Sequence, residues 1–357
     1  MIGAHQPPAE LTIPESLPLS QLIAPLVAAE DALARMDERL RTSRIREGFI
    51  SRLHYADACA SMWLEGELVS LEDLVLHDAA ADVRAPTPQL ARARTVLRTR
   101  RIISDQPPGR ALERGGLALL SGKPAADKEF ATEMYRHGSR SADTDETGLD
   151  DALSALDEVL SRTGRVLSGE NIETPPSPAL TPTEDLRRMA DSLEHLPPLL
   201  AAGLLWDRWE AHPPASGRAW LGRQLVADYL RARGKAAAHL PAINSGLRAV
   251  PWEHRRARDG GARLRAWLEA AQAGALAGLR EHDRLVAALA TLERKSSGRR
   301  VTSRLQDLVE LAAAHPLLTA ATVAQALGIT QRAARNLVAE LGLRETTGRG
   351  RYRVWML

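Results

Sequence analysis

The sequence is poor in cysteine and in long apolar runs, and these shortages exclude disulfide-stabilised and membrane-spanning proteins. Cys59 is the only cysteine among 357 residues, so the chain cannot form an internal disulfide. No stretch approaches the roughly 20 apolar residues of a transmembrane helix. The first residues include proline, glutamate and histidine, whereas a signal peptide needs a basic start followed by an apolar run. We therefore expect a reduced, cytoplasmic protein without a membrane partner.

Aromatic residues are also scarce, at 4% of the chain, and their distribution indicates where the best-packed core lies. Five of the seven tryptophans fall between Trp206 and Trp267. The rest of the composition is rich in Ala, Leu, Arg and Glu and has few β-branched runs, which favours helices over strands. With 44% apolar and 26% charged residues, the chain has the balance of a globular protein. The composition predicts a mainly α fold.

Net charge is small overall but unevenly distributed. The whole chain carries a formal charge of only +2, whereas residues 298–357 contain nine arginines and four acidic residues, a net of +5. A basic excess confined to one end is typical of a module that contacts nucleic acid.

The pattern of apolar periodicity and linker composition predicts four regions. Residues 1–120 form an N-terminal helical region, with helices from Leu19 to about Arg41, over 44–66, from Ser70 onwards and from Gln89 to Ile103. Residues 121–182 are rich in Gly, Ser, Thr and Pro and are interpreted as linkers around a short helix. Residues 183–297 form a helical core, and residues 298–357 form a separate basic module.

The basic module has the spacing of a helix-turn-helix. An amphipathic helix from Ser303 to His315 ends at Pro316, and Thr319 can cap a short helix, Ala320–Leu327. Gly328-Ile329-Thr330 is a tight turn, and Thr330 caps the second helix, Gln331–Leu341. The inward positions of that helix are Ala334, Leu337, Val338 and Leu341. A helix-turn-helix of this kind places its second helix in the DNA major groove.

A short basic hairpin follows, with strands over 343–346 and 351–355 and a turn at 347–350. This arrangement resembles the winged-helix family of bacterial regulators and implies double-stranded DNA as the partner. A homodimer is implied only if the DNA site is palindromic. A winged helix can also serve purely as a protein-docking unit, and that alternative stays open. The candidate DNA-binding residues are Thr330, Gln331, Arg332, Arg335, Asn336, Arg349, Arg351 and Arg353.

A second motif lies in the helical core, in the loop His212–Arg223. An apolar helix containing Trp206 and Trp209 precedes it, and the segment Leu240-Pro-Ala-Ile-Asn follows. The order and spacing of His212-Pro213, Gly217 and Arg223 resemble Fic-domain proteins, many of which finish in a winged helix. The resemblance covers roughly residues 45–75 and 183–357 and implies a Fic-like helical bundle.

Fic enzymes transfer AMP from ATP to a protein hydroxyl, and the resemblance assigns implied roles to the loop. His212 falls at the general base, Gly217 at the first glycine of the anion cradle and Arg223 at the terminal arginine. The departures are large, because Ser216 replaces the metal-binding acid, Arg218 replaces the asparagine, Ala219 replaces the second cradle glycine, and Trp220 replaces the first arginine. Arg218 stays a candidate anion-binding residue together with Gly217 and Arg223. We therefore expect no metal and no cofactor, with ATP and Mg²⁺ required only if the site is active.

The resemblance extends to the segment Ser61-Met-Trp-Leu-Glu65-Gly66. It is similar to the inhibitory helix of Fic proteins, Ser/Thr-x-x-x-Glu-Gly, whose glutamate pairs with the terminal arginine of the loop. The resemblance therefore implies contact between Glu65 and Arg223, with Ser61 and Gly66 completing the motif. A partly buried arginine beside a vacated phosphate site needs such a carboxylate.

Three functional interpretations follow. The first is a DNA-binding protein and transcriptional regulator whose Fic-like body has lost AMP transfer. The second is a divergent nucleotidyl or phosphoryl transferase that uses His212. The third is a protein-docking accessory. The chain also resembles an uncharacterised alphaproteobacterial family with a C-terminal helix-turn-helix DNA-binding domain.

Overall fold

The computed structural model describes residues 18–79, 85–113, 182–212, 218–297, 304–345 and 353–357, together with Gly116 and Leu120. The helices of the body are α1 (Leu19–Arg41), α2 (Arg46–Leu64), α3 (Leu71–Asp78), α4 (Pro88–Asp105), a short 3-10 turn (Arg110–Leu112), α5 (Pro182–Ser192), α6 (Pro198–Ala211), α7 (Ala219–Ala232), α8 (Ile243–Ala249), α9 (Trp252–Arg255) and α10 (Gly260–Ser296). The C-terminal module contains α11 (Leu305–Ala314), β1 (Leu318–Thr319), α12 (Ala320–Leu327), α13 (Gln331–Leu341), β2 (Arg344–Glu345) and β3 (Val354–Met356). The predicted mainly α fold is confirmed.

Side-chain caps explain where several helices begin. The Ser70 hydroxyl accepts a hydrogen bond from the Asp73 amide, and the Thr87 hydroxyl accepts one from the Leu90 amide. Each cap satisfies one of the amide groups that the first turn of a helix leaves without a partner. Asp259 does the same for α10 through the amide of Ala262.

Helix α1 buries one of its faces. Leu22, Leu33 and Leu40 are buried against the rest of the body, whereas Val27 is 62% exposed. Val27 lies four residues after Ile23, which is also exposed, so the two share a face of the helix.

Helix α10 is the spine of the body and packs against α1, α6, α8 and α9. Trp267 lies near its N-terminal end, fully buried, and its indole N–H donates to the carbonyl oxygen of Leu199 at 2.9 Å. Trp206 stacks on Trp267 with ring centroids 5.7 Å apart. Four of the five tryptophans in this part of the sequence therefore lie in the core, whereas Trp252 is 67% exposed. That residues 260–296 form one uninterrupted helix of 37 residues is not evident from the sequence.

A buried ion pair within the N-terminal region is hydrogen-bonded to the central part of the body. The Arg100 guanidinium donates to Asp57 at 2.8 Å, and both side chains are almost completely inaccessible to solvent. Arg100 also donates to the carbonyl oxygen of Leu240, and Asn244 donates to Asp57 at 2.8 Å. These bonds compensate the burial of both charges. The regions predicted as 1–120 and 183–297 therefore share one core in the described residues.

The C-terminal module is a three-helix unit with a three-stranded antiparallel sheet in the order β1-β3-β2. Helices α12 and α13 have the predicted limits. The expected helix Ser303–His315 begins instead at Leu305 and ends at Ala314. The hairpin strands are described at Arg344–Glu345 and Val354–Met356, so the second strand ends one residue later than predicted. Strand β1 was not predicted, because two residues are too few to show alternation. It pairs Leu318 with Trp355.

Helix α2 anchors this module to the body. The Arg52 guanidinium donates to the carbonyl oxygens of Ala312, Ala313 and His315, at 2.8, 2.8 and 2.6 Å. These are the last carbonyl groups of α11, which have no partner within the helix. One turn earlier, Gly48 lies so close to α11 that a Cβ atom would overlap the carbonyl oxygen of Ala313.

Several expectations concern residues outside the described part of the chain. They include the linkers and short helix over 121–181 and the loop residue Gly217, and also the hairpin residues Arg349 and Arg351. Among the helices that the structure does describe, none combines the length and the apolar character needed to cross a membrane.

Candidate functional site

The outer face of α13 is the first candidate site. The Thr330 hydroxyl caps the helix by accepting from the amide of Ala333 at 3.2 Å. Gly328 and Gly342, at φ +63° and +74°, occupy left-handed positions at the ends of α12 and α13, which glycine adopts without strain. The inward residues predicted from periodicity are buried or half-buried: Ala334, Leu337, Val338 and Leu341. The outward residues are all exposed: Gln331, Arg332, Arg335 and Asn336.

The arginines of this face differ in how far their charge is compensated. Arg332 and Arg335 form no ion pair with any described residue. Arg353, at the start of β3, lies 3.6 Å from the Glu345 carboxylate on the neighbouring strand. Arg332, Arg335 and Arg344 are therefore the arginines of the described module without an ion-pair partner, and the first two lie in the first turns of α13.

The second candidate site surrounds the loop between α6 and α7. His212 ends α6, is exposed, and places its Nδ1 3.4 Å from the carbonyl oxygen of Arg208. Arg218 precedes α7 and donates to the carbonyl oxygen of Leu120 at 3.3 Å. Trp220 is 6% exposed and belongs to the core. The loop position where the resemblance implies a first phosphate-binding arginine therefore carries a buried indole.

Arg223 is the centre of a polar cluster and is only 4% exposed. Its Nη2 donates to Glu65 at 3.0 Å and to the Ser61 hydroxyl at 3.4 Å, so the expected contact with α2 is present. Its Nη1 donates to Glu210 at 2.9 Å, and its Nε donates to Asn244 at 2.7 Å. Glu210 and Asn244 were not predicted. Each nitrogen of this guanidinium thus has an acceptor.

The end of α2 explains the third residue of the inhibitory-helix motif. Glu65 directly follows Leu64, the last residue of α2, as its C-cap. Gly66 comes next at φ +83°, a conformation that ends the helix and that favours glycine. Burial raises the pKa of Glu65, and the adjacent Arg223 charge acts in the opposite direction. The glutamate is therefore held in place by its arginine partner.

A cavity of about 280 Å³ lies beside this cluster. It is bounded by residues of α2, α6, α7, α8, α9 and α10, and neither His212 nor Arg218 is among the described residues that line it. Two acidic residues and four arginines contribute to the wall, which makes it basic: Asp207, Glu210, Arg223, Arg255, Arg256 and Arg263. The sequence signal that could have identified this wall is the basic run 254–258, directly before α10.

No group of three or more His, Cys, Asp or Glu side chains that could hold a metal occurs among the described residues. In the described part of the loop, no acidic residue takes the place of the metal-binding acid that the resemblance implies at position 216. The acids around Arg223 are engaged with arginines instead.

Two family models match the chain, one in the body and one in the C-terminal module. Residues 183–297 match a family described as a protein of unknown function, DUF1612. Residues 305–357 match a family described as an HTH DNA binding domain. The helix-turn-helix identified from spacing is therefore confirmed as a domain of that type.

Among solved structures, the chain is similar to a Fic family protein from Desulfovibrio desulfuricans G20. The two are 14% identical, with a TM-score of 0.48 over 99% of this chain and 98% of the other. A likeness of this size does not establish a shared activity, and the Fic-like character of the body rests on the residues of α2 and the loop.

A whole-length relative is the uncharacterized protein y4cF of Sinorhizobium fredii (strain NBRC 101917 / NGR234). It is 39% identical over 365 aligned residues, which cover 94% of this chain and 96% of that protein. The alignment includes the helical body, the linker region and the helix-turn-helix module. The chain therefore belongs to the y4cF family.

Proposed function

We propose that this protein binds double-stranded DNA through α13 and the following hairpin, and that it acts as a transcriptional regulator in the cytoplasm. The observation that carries the proposal is the exposed polar face at the start of α13. Arg332, Arg335 and Asn336 lie there together, and the two arginines have no ion-pair partner among the described residues. Arginine and asparagine can form bidentate hydrogen bonds with guanine and adenine edges in the major groove.

The way α13 is held supports the same function. Its opposite face packs on α11 and α12, which fixes the orientation of the exposed face. In helix-turn-helix proteins the N-terminal residues of the second helix contact the bases. Gln331 and Arg332 occupy that position, and the capped N-terminus at Thr330 adds amide groups and a positive helix end that favour phosphate.

The proposal is tested by fluorescence anisotropy with duplexes from the region upstream of the protein's own gene and with scrambled duplexes. The test variant combines Arg332→Ala, Arg335→Ala and Arg351→Ala, and the control is Arg188→Ala on the exposed side of α5. We expect the triple variant to bind at least tenfold more weakly, because lost base contacts cost about 1–3 kcal/mol each. The slope of log K against log salt should also become shallower, by about 0.9 for each lost phosphate contact.

If the triple variant binds duplex DNA with unchanged affinity and salt dependence, the proposal is wrong and the module is a protein-docking unit. Selective binding of the upstream duplex over the scrambled one supports regulation. Equal binding of both duplexes would leave DNA binding intact and contradict the regulatory role.

We also propose that the body does not transfer AMP. Two observations support this. The buried Trp220 replaces a phosphate-binding arginine, and the remaining Arg223 is engaged by Glu65 and Glu210. Electrostatic stabilisation by metal and arginine is the main source of catalysis in phosphoryl transfer.

Incubation with labelled ATP and Mg²⁺ tests this second proposal. The wild type, Glu65→Gly and His212→Ala are compared, and we expect the same background label in all three. Label that rises in Glu65→Gly and disappears when His212→Ala is added would instead establish a transferase.

If the DNA site is palindromic, we propose that the protein binds it as a homodimer, because such a site requires two symmetric modules. Light scattering of the complex with the upstream duplex measures the stoichiometry. One chain per duplex would contradict it.

A further inference from the structure

The acidic residues that line the cavity already form ion pairs with arginines. Asp207 forms a two-pronged ion pair with Arg263, one prong of which is 2.9 Å between Nη2 and Oδ2. Glu210 accepts from Arg223 at 2.9 Å and is approached by Arg256 at 3.4 Å. Asp207 therefore compensates Arg263, while Glu210 and Glu65 share Arg223. Arg256 has only the longer contact with Glu210, and Arg255 has no carboxylate partner among the described residues.

Arg255 is held in a fixed position with its outer nitrogens unused. Its Nε donates to the carbonyl oxygen of Val250 at 3.1 Å, and its guanidinium lies 5.6 Å from the centre of the Trp63 ring. Arg248 stacks on the same ring at 5.5 Å. Arg255 forms no ion pair with a described residue, so its Nη1 and Nη2 are a preorganised fork of donors. Burial and the charge of Arg256 lower the pKa of Arg255.

Arg256 is the second group, and it is only partly compensated. Its side chain is 53% exposed, and its single described polar contact is the long one to Glu210. Trp206, which also lines the cavity, has an indole N–H without a described acceptor. The hydrogen-bonding capacity that the lining leaves unused thus consists of donors. A ligand that supplies only acceptors and negative charge complements such a wall.

We propose that this cavity binds a small organic oxyanion, with its carboxylate or phosphate head group on Arg255 and Arg256. The apolar part of the lining, Leu64, Ala211 and Leu247, would contact the hydrocarbon part of the ligand. The volume of about 280 Å³ is at the lower limit of pockets that hold drug-sized ligands, which favours a small metabolite over a nucleotide. Neither arginine belongs to the loop His212–Arg223, and the proposal does not depend on DNA binding.

Thermal unfolding of the full chain tests the proposal. The probes are inorganic phosphate, a series of short aliphatic and aromatic carboxylates, and sodium chloride at matched ionic strength. A ligand that binds only the folded state raises the Tm with a saturable dependence on concentration. We expect such a rise with phosphate or with at least one carboxylate and none with chloride. Whether phosphate or a carboxylate raises the Tm identifies the head group of the ligand.

The matched variants are Arg255→Gln and Arg256→Gln in the cavity wall, and Arg258→Gln on the exposed side of the same segment. Each wall variant should weaken binding of the responding probe at least tenfold, while Arg258→Gln should bind as the wild type does. Arg256 is half exposed, so its variant keeps the test decisive if Arg255→Gln lowers stability by itself. A saturable response that survives both wall substitutions, or no saturable response to any oxyanion, would overturn the proposal.

Discussion

At the residue scale, the contacts of Arg223 indicate a structural role. Its guanidinium is buried among Glu65, Glu210 and Asn244. Removing it would leave two carboxylates facing each other with no positive charge between them. We therefore expect Arg223→Ala to lower the free energy of unfolding by about 3–5 kcal/mol, the usual cost of leaving a buried charge without its partner. Urea denaturation measures the change.

The control for that prediction is Arg208→Ala. Arg208 pairs with Asp185 at 2.9 Å, but both side chains are about a quarter exposed. Exposed pairs contribute roughly 0–1 kcal/mol. Equal losses in Arg223→Ala and Arg208→Ala would contradict the structural role of Arg223. Partial recovery in the double variant Arg223→Met and Glu65→Gln would support it.

Two buried histidines predict a loss of stability in mild acid. Burial lowers the pKa of His54 and of His239, against the opposing effect of Asp37 on His239. The unfolded chain takes up a proton at each below about pH 6.5, whereas the folded chain does not. The unfolded state then binds more protons, so the free energy of unfolding falls as the pH is lowered through 6.5, by up to about 1.4 kcal/mol per pH unit for each histidine.

Urea denaturation at pH 7.5, 6.5 and 5.5 checks this pH dependence. His54→Gln cannot take up the proton, so its stability should fall less steeply than that of the wild type. The exposed His254→Gln should keep the wild-type slope. An unchanged slope in His54→Gln would mean that His54 is not the group responsible.

At the same scale, sequence could predict only part of the polar cluster. The contact between Glu65 and Arg223 was available from the family motif. Glu210 and Asn244 come from α6 and α8, and no spacing rule connects either to Arg223. Arg255 was missed because its significance depends on which neighbours are already paired, and that is a property of the packed cavity.

At the scale of elements, the sequence predicted the limits of a helix best where capping residues stand at both of its ends. Thr319 and Thr330 begin α12 and α13, and Gly328 and Gly342 end them, so both helices have the predicted limits. Strand β1 has no local signal, because its pairing with β3 is set by the fold of the module. The continuity of α10 is likewise set by packing against α1 and α8.

The contact between α2 and α11 yields a prediction for the DNA-binding module. Arg52→Ala removes the donors for three carbonyl groups at the end of α11, and Gly48→Ala forces a Cβ against Ala313. Buried carbonyl groups without donors are costly. We expect either variant to increase amide hydrogen exchange in α11, α12 and α13 at least tenfold while exchange in the middle of α10 changes little.

Arg44→Ala is the matched control, because Arg44 is an exposed arginine near the start of α2 that pairs with Glu293 on α10. It should leave exchange in the module unchanged. Uniform acceleration over the whole chain in Arg52→Ala would show general destabilisation and contradict a local anchor.

At the scale of the whole molecule, the apolar core is continuous from α1 to β3. Buried side chains form one cluster that includes Leu22, Trp267 and Trp355. Elements that share a core lose their packing together. We therefore expect the tryptophan fluorescence of the body and the helical circular dichroism of the whole chain to change at the same urea concentration. Two separated midpoints would show that the module unfolds by itself.

The position of helix α2 predicts where mutations that impair DNA binding can occur. It holds α11 near one end through Gly48 and Arg52, and its C-cap residue Glu65 lies beside Arg223, roughly 25 Å away at 1.5 Å per residue. If the protein binds an operator as proposed, a selection for mutants that no longer bind it should yield alleles some 280 residues upstream of α13. Second mutations in the same gene that restore DNA binding should map to the end of α11, at 312–315, rather than to the surface that contacts the bases.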